Sequence, residues 1–170
     1  MVALAYPDPP LAEDQVHLRP WRTADAEALA AAWNDPAIQA GCAVPKQRSA
    51  ADAEAWISGH RQRIDAGAAL DLVITDATGV VVQGEVGLGP FDFDRGAAML
   101  GFWVAPESRR SGLAAAAVRL VADWAVTQEI GSLVAQTTDA NLGSIGVLPL
   151  VWLCPRRQQV GPNVDAASLR

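Results

Sequence analysis

Val104-Ala105-Pro106-Glu107-Ser108-Arg109-Arg110-Ser111-Gly112-Leu113-Ala114, running on through Val118 to Trp124, joins three kinds of sequence. The apolar run from Met99 to Ala105 reads as a buried strand, and Pro106 stops it. A short polar loop carries Arg109, Arg110, Ser111 and Gly112, and a long Ala-rich helix follows. Strand, loop and helix in that order aim backbone N–H groups and a helix N-terminus at an anion. Two arginines stand at the opening, so the turn reads as a phosphate-binding site.

Outward from that turn the pattern alternates between strands and helices. Val16 to Trp21 reads as a half-exposed strand, with Val16 and Leu18 inward and His17 and Arg19 outward. Thr23 is placed to cap a helix with Asp25 in its first turn, and Asn34-Asp35-Pro36 breaks that helix. A short helical turn is expected over Pro36 to Ala40, then a loop from Gly41 to Gln47. Ser49 and Asp52 form a capping box for a helix ending at Gly67, with Ala53, Trp56, Ile57, His60 and Ile64 inward. Leu70 to Thr75 and Val80 to Leu88 flank the turn Asp76-Ala77-Thr78-Gly79 as a hairpin. A second turn over Gly89 to Gly96 leads to a strand from Ala97 to Val104. A helix from Gly112 to Gln128, a strand from Ser132 to Thr137 and a short helix opening at Asp139-Ala140-Asn141 complete the order. No repeat or linker interrupts it, which predicts one α+β domain.

The bulk numbers bound the function. A chain of 170 residues, half of them apolar, can build a real core. No apolar run approaches the ~18 residues of a membrane span. The N-terminal stretch to Gln15 has no basic flank and reads as a loose extension rather than a signal peptide, so the cytoplasm is the expected location. Cys42 and Cys154 form no metal or disulfide pattern. The net charge is −6, with Lys46 the sole lysine, which argues against a general nucleic-acid surface but not against clustered arginines holding phosphate.

The segment Gly101 to Ala114 resembles the GNAT family of N-acetyltransferases: Arg109-x-x-Gly112-x-Ala114 matches that family's acyl-CoA signature, Gln/Arg-x-x-Gly-x-Gly/Ala. Three further stretches resemble the branch containing the ribosomal-protein alanine N-acetyltransferases. They are the opening strand Val16-His17-Leu18-Arg19-Pro20-Trp21, the helix end Ala32-Trp33-Asn34-Asp35-Pro36, and Asp139-Ala140-Asn141-Leu142-Gly143-Ser144 as an Asn-x-x-Ser element. The resemblance covers roughly residues 15–148. It divides the chain into an extension (1–14), an acetyltransferase domain (15–160) and a tail (161–170).

The resemblance implies a mixed, mostly antiparallel central sheet flanked by helices, with acetyl-CoA as cosubstrate and no metal. The strand ending at Val104 would splay from the strand at Ser132 to Thr137, and the pantetheine arm would lie in the gap. Backbone groups of Phe102, Trp103 and Val104 would bind that arm. The turn of Arg109, Arg110, Ser111, Gly112, Leu113 and Ala114 would hold the pyrophosphate, with Gly112 allowing close approach. Asn141 would bond the pantetheine, and Ser144 would serve as acid for the departing thiolate. The acceptor would be a primary amine, on a protein N-terminus or a small molecule, attacking directly in a ternary complex. Neither nucleic acid nor membrane is implied as a partner.

Three departures limit the match. Many relatives carry a glutamate where Met99 or Leu100 stands, which leaves Glu85, on the neighbouring strand, as the substitute base or else as an exposed strand residue. Arg110 stands where relatives have glycine, at a position whose positive φ strains arginine. Pro149 breaks the family's last helix, no Gly-Phe follows, and a strand at Leu150 to Leu153 is the remaining candidate for the usual final pair, so the C-terminal end is atypical. A shifted reading frame would account for Pro149 to Cys154, and a homodimer exchanging tails would restore the missing wall. Trp21, Trp33, Trp56 and Trp124 read as core, with Trp33 and Trp103 as candidates for the acceptor pocket. Two other readings stay open: a catalytically weak or inactive acyl-CoA-binding protein of this fold, and a nucleotide-binding domain, which lacks the Lys-Ser/Thr of a P-loop.

Overall fold

Among the described residues a single six-stranded sheet orders the molecule, its strands lying side by side in chain order: β1 (Leu11–Glu13), β2 (Val16–Pro20), β3 (Leu70–Thr75), β4 (Val82–Asp92), β5 (Ala97–Val104) and β6 (Ser132–Val134). Every neighbouring pair is antiparallel except β5 with β6, which is parallel. The structure, a computed structural model, describes residues 4–137 and 141–147. The expectations for Asp139 and Ala140, for the tail after Pro149 and for an exchanged-tail dimer lie outside those residues.

Strand parity divides the core in two. On β3, Leu70, Leu72 and Ile74 point to one face, where they meet Val86 and Leu88 of β4 and Leu100 of β5. Helix α5 (Leu113–Thr127) covers that face with Leu113, Ala117, Val118, Val121 and Ala125. Its alanines let the helix lie close against the sheet. On the other face, Val73 and Trp103 pack with Trp21, Leu29, Trp33, Ile38, Ala53 and Ile57. Those come largely from α1 (Ala26–Trp33), α2 (Pro36–Gly41) and α3 (Ala50–Ser58).

Three local expectations are corrected. Leu11–Glu13, assigned to a loose extension, is an edge strand paired with β2 and tied to α5 by an Arg119–Glu13 ion pair. The helix expected to run to Gly67 breaks at Gly59 into α3 and α4 (His60–Asp65). Arg19, expected outward, is buried: its guanidinium forks onto Asp25 at 2.7 and 3.0 Å and donates to the Gly79 carbonyl at 2.8 Å. Asp25 therefore anchors the start of α1 to the sheet. Burial pushes its carboxyl up, but the Arg19 guanidinium and the Arg22 N–H outweigh it and hold the pKa below the usual value.

Candidate active site

β5 and β6 part company after three residues. Their register runs Ala97 to Ser132, Ala98 to Leu133 and Met99 to Val134, and from Leu100 onward β5 has no partner on that side among the described residues. Ala105 N–H donates to Gln83 on β4, so odd positions near the end of β5 bond β4. Even positions, Phe102 and Val104, therefore turn their N–H and C=O groups toward the opening. The Cys42 thiol reaches the Phe102 carbonyl from that side at 3.8 Å.

The splay opens a cleft of about 1020 Å³. The residues named from the sequence for the cosubstrate and for proton transfer all line it: Phe102 to Val104, Arg109 to Ala114, Asn141, Ser144 and Glu85. At one end sits the turn. Arg110 has φ +63° and Gly112 +84°, so the strain expected of an arginine at position 110 is present. Gly112 caps α5 with no side-chain partner for the first helical N–H groups, which leaves them free for an anion. An ideal Cβ on Gly112 would meet nothing within 4 Å. Space beside the turn is open.

Arg109 is positioned differently from a free phosphate ligand. Its Nη2 donates to Asp35 at 2.8 Å and its Nε to the Val104 carbonyl at 3.1 Å. Asp35 also caps α2 by accepting from Ala37 and Ile38 N–H. The Arg109 hydrogen bond, reinforced by those N–H groups, holds the Asp35 carboxyl below its usual pKa. Arg109 thus ties the turn to the end of β5 and to α2, while Arg110 is exposed. Asn141 accepts the Ser144 N–H at 3.1 Å and so opens α6 (Leu142–Val147) beside the cleft.

The opposite end is acidic. Glu85 faces Trp103 across the β4–β5 ladder, and Asp71 lies on the same face of β3. The Glu85 carboxylate accepts from the indole N–H of Trp21 at 2.8 Å and of Trp103 at 3.2 Å. It is not an exposed strand residue. Burial, reinforced by the Asp71 charge, pushes its pKa up to about 8. Asp71 is also raised by burial, against the pull of Arg63, its ion-pair partner at 3.5 Å. Burial, with a smaller push from Glu85, raises the Cys42 thiol to about 11. Sequence reasoning missed Asp71 and Trp56 as parts of this end, because only the strand register and the α3 packing bring them here.

A smaller pocket of about 250 Å³ adjoins the cleft, with Glu85, Trp103, Cys42 and Ala43 shared between them. Trp33, Trp56, Val44 and Pro45 complete its walls. Both indoles expected at an acceptor pocket, Trp33 and Trp103, line it. Among the described residues no cluster of His, Cys, Asp or Glu could hold a metal ion, and no helix is long and apolar enough to cross a membrane.

Known proteins share this fold. Among curated proteins no sequence match is found. RimJ from Mycobacterium smegmatis, solved in complex with CoA-disulfide, superposes with a TM-score of 0.69 at 25% identity, over 79% of this chain and 68% of RimJ. The ribosomal-protein-S5-alanine acetyltransferase from Vibrio fischeri gives 0.73 at 17%, over 84% and 81%. Spermidine N-acetyltransferase from Vibrio cholerae, solved with CoA and spermine, gives 0.68 at 18%, over 79% and 78%. The sequence profile of the family described as acetyltransferase (GNAT) domain matches residues 15–149. With the splayed β5, the signature turn and the six-strand mixed sheet, that match places the chain in the GNAT acetyltransferase family, as an acyltransferase.

Proposed function

We propose that the protein transfers an acetyl group from acetyl-CoA to a primary amine by direct attack in a ternary complex. The observation that carries this is the polarity of the cleft. Free helix N–H groups and Arg110 stand at one end, suited to an anionic cosubstrate, and the Glu85 carboxyl stands at the other, suited to an ammonium. Acetyl-CoA brings the activated thioester.

The turn from Arg109 to Ala114 holds the pyrophosphate through backbone N–H groups, with Arg109 fixing its shape from Asp35. Phe102, Trp103 and Val104 line the pantetheine arm, and the Val104 N–H polarises the thioester carbonyl. Asn141 bonds the same arm through its amide. Glu85 takes a proton from the incoming ammonium, directly or through water; a pKa of about 8 suits a base working near neutral pH. The nitrogen–carbon bond forms as the carbon–sulfur bond breaks, and Ser144 gives its proton to the departing sulfur, regaining one from solvent. Cys42 stays protonated near neutral pH, which speaks against an acyl intermediate on that thiol.

Thermal shift with acetyl-CoA, CoA and ATP tests the cosubstrate, since only a ligand of the folded state raises the melting temperature. Stabilisation by ATP alone would overturn the assignment. Thiol release from acetyl-CoA over a panel of amines tests transfer. CoA binding with no release from any acceptor would make the protein an acyl-CoA-binding member of the family instead.

A further inference from the structure

The proposed acetyl transfer leaves the acceptor unnamed, and the small pocket beside Glu85 bears on it. Resting on that reading, we infer that the acceptor is a primary amine next to a compact apolar or aromatic group and bearing no acid. Its nitrogen lies at Glu85 and its substituent lies between Trp33, Trp56 and Trp103.

The walls are aromatic and fixed. Trp33 and Trp56 meet edge to face, 5.9 Å apart at 89°, so they form a corner. The Arg63 guanidinium lies over the Trp56 ring at 3.9 Å and donates to the Trp56 carbonyl at 2.7 Å. Trp103 stacks on Trp21 with centroids 6.3 Å apart, and its indole N–H is held by Glu85. Each ring thus keeps its orientation without ligand, which lowers the entropy cost of binding. Val44 and Pro45 close the pocket with apolar surface.

Size and charge then select the occupant. About 250 Å³ is the liquid volume of roughly eight waters. That suits an arylalkyl or branched alkyl group. Among the described residues Glu85 is the one acid lining the pocket, and no lysine, arginine or histidine among them lines it. The Arg63 guanidinium stacks on Trp56 and pairs with Asp71. A carboxylate or phosphate on the substituent would be desolvated there with no cationic partner. Glu85 also faces the cleft, so an amine held at its carboxyl is presented toward the pantetheine channel.

The same chemistry occurs on free arylalkylamines and on peptide N-termini whose first residue is apolar. The experiment titrates the full-length protein, with CoA present, and follows tryptophan emission. The ligands are 2-phenylethylamine, 3-methylbutylamine, spermidine, phenylalanine and the tripeptide amides Phe-Ala-Ala and Asp-Ala-Ala. Thiol release from acetyl-CoA is measured with the same set. The apolar amines or the Phe peptide should perturb the emission and show a KM at least tenfold below those of spermidine, phenylalanine and the Asp peptide. Whichever of the two arms responds names the source. Val44→Phe fills the pocket from a residue that does not line the cleft. It should raise that KM at least tenfold and leave CoA affinity unchanged, and Val44→Leu is the milder version if the larger one melts early. Emission changes without thiol release would uphold the pocket and overturn acetyl transfer. Release that favours spermidine or acidic amines, or that ignores Val44→Phe, would overturn the pocket and leave acetyl transfer standing. No response to any apolar amine overturns the inference.

Discussion

Replacing Glu85 with glutamine tests the acid end of the cleft without knowing the acceptor. The folded carboxyl titrates near 8 against an ordinary 4.5. Between those values the folded state holds a proton that the unfolded chain has released. Stability therefore falls as pH rises through that window, by about 1.4 kcal/mol per unit. Over the window this sums to a loss of about 5 kcal/mol, complete above pH 8 and absent below 4.5. Glutamine does not titrate, so Glu85→Gln removes the slope. It costs about 1 kcal/mol at low pH, where one indole N–H faces an amide N–H instead of an oxygen. Asp71 adds a slope of its own to both proteins.

Urea melts of the two proteins at pH 4, 5, 6, 7, 8 and 9 should therefore cross, near pH 5. Wild type should be the more stable at pH 4 and the variant at pH 8.5. The kinetic arm uses any amine that releases thiol. At pH 7 only ~10% of a group with pKa 8 is ionised, so wild-type kcat should climb toward pH 8.5. Glu85→Gln should lower kcat by about 10²–10⁴ and remove that limb. Parallel stability profiles would refute the raised pKa. A variant with undiminished kcat would refute the base, whatever the stability shows.

Three further expectations follow from other parts of the site and core. Gly112→Ala keeps φ +84° at a cost of about 1–2 kcal/mol with no clash in the protein; calorimetric titration should show CoA affinity down at least tenfold, and unchanged affinity would remove the cradle from this turn. Asp35→Ala deletes both the α2 cap, about 1 kcal/mol, and the partner of Arg109. It should weaken CoA binding as Arg109→Ala does, the double variant binding no worse than Arg109→Ala alone; normal CoA binding by Asp35→Ala would mean the ion pair does not shape the turn. Asp25→Ala leaves the buried Arg19 guanidinium unpaired, which should cost about 3–5 kcal/mol in a urea melt, and a loss below 1 kcal/mol would show that Arg19 finds water.

Much of the framework could be read without coordinates, for specific reasons. Leu70–Thr75 and Ala97–Val104 have the bounds expected of them because both are apolar runs punctuated by turn residues. The turn after β5 was legible because its features are local: Arg109, Gly112 and Ala114 at the signature spacing, with a helix start within a few residues. Arg19 was misread because alternation assigns a side chain to a face of the strand, and α1 with its leading turn covers that face. β1 was missed because three residues carry too little periodicity, and the free edge of β2 supplies the pairing.

The acid end of the cleft had a signal of another kind. Gly84-Glu85-Val86-Gly87 puts an acid between glycines inside a strand, and glycine within a strand marks a close approach. A Cβ at Gly84 would come within 2.4 Å of the Trp103 carbonyl, and one at Gly87 within 2.7 Å of Asp71 Oδ1. Gly87 thus makes the room in which the Asp71 carboxylate lies on the same face as Glu85, and Asp71 helps raise the Glu85 pKa. Gly84 lets β4 lie close against the end of β5, where Glu85 meets the Trp103 indole. A slip of one residue in this ladder would turn Glu85 to the α5 face and away from both pockets. The two glycines therefore bear on the acid as much as on the sheet. An alanine at either would disturb Glu85 through its neighbours while leaving its own side chain intact.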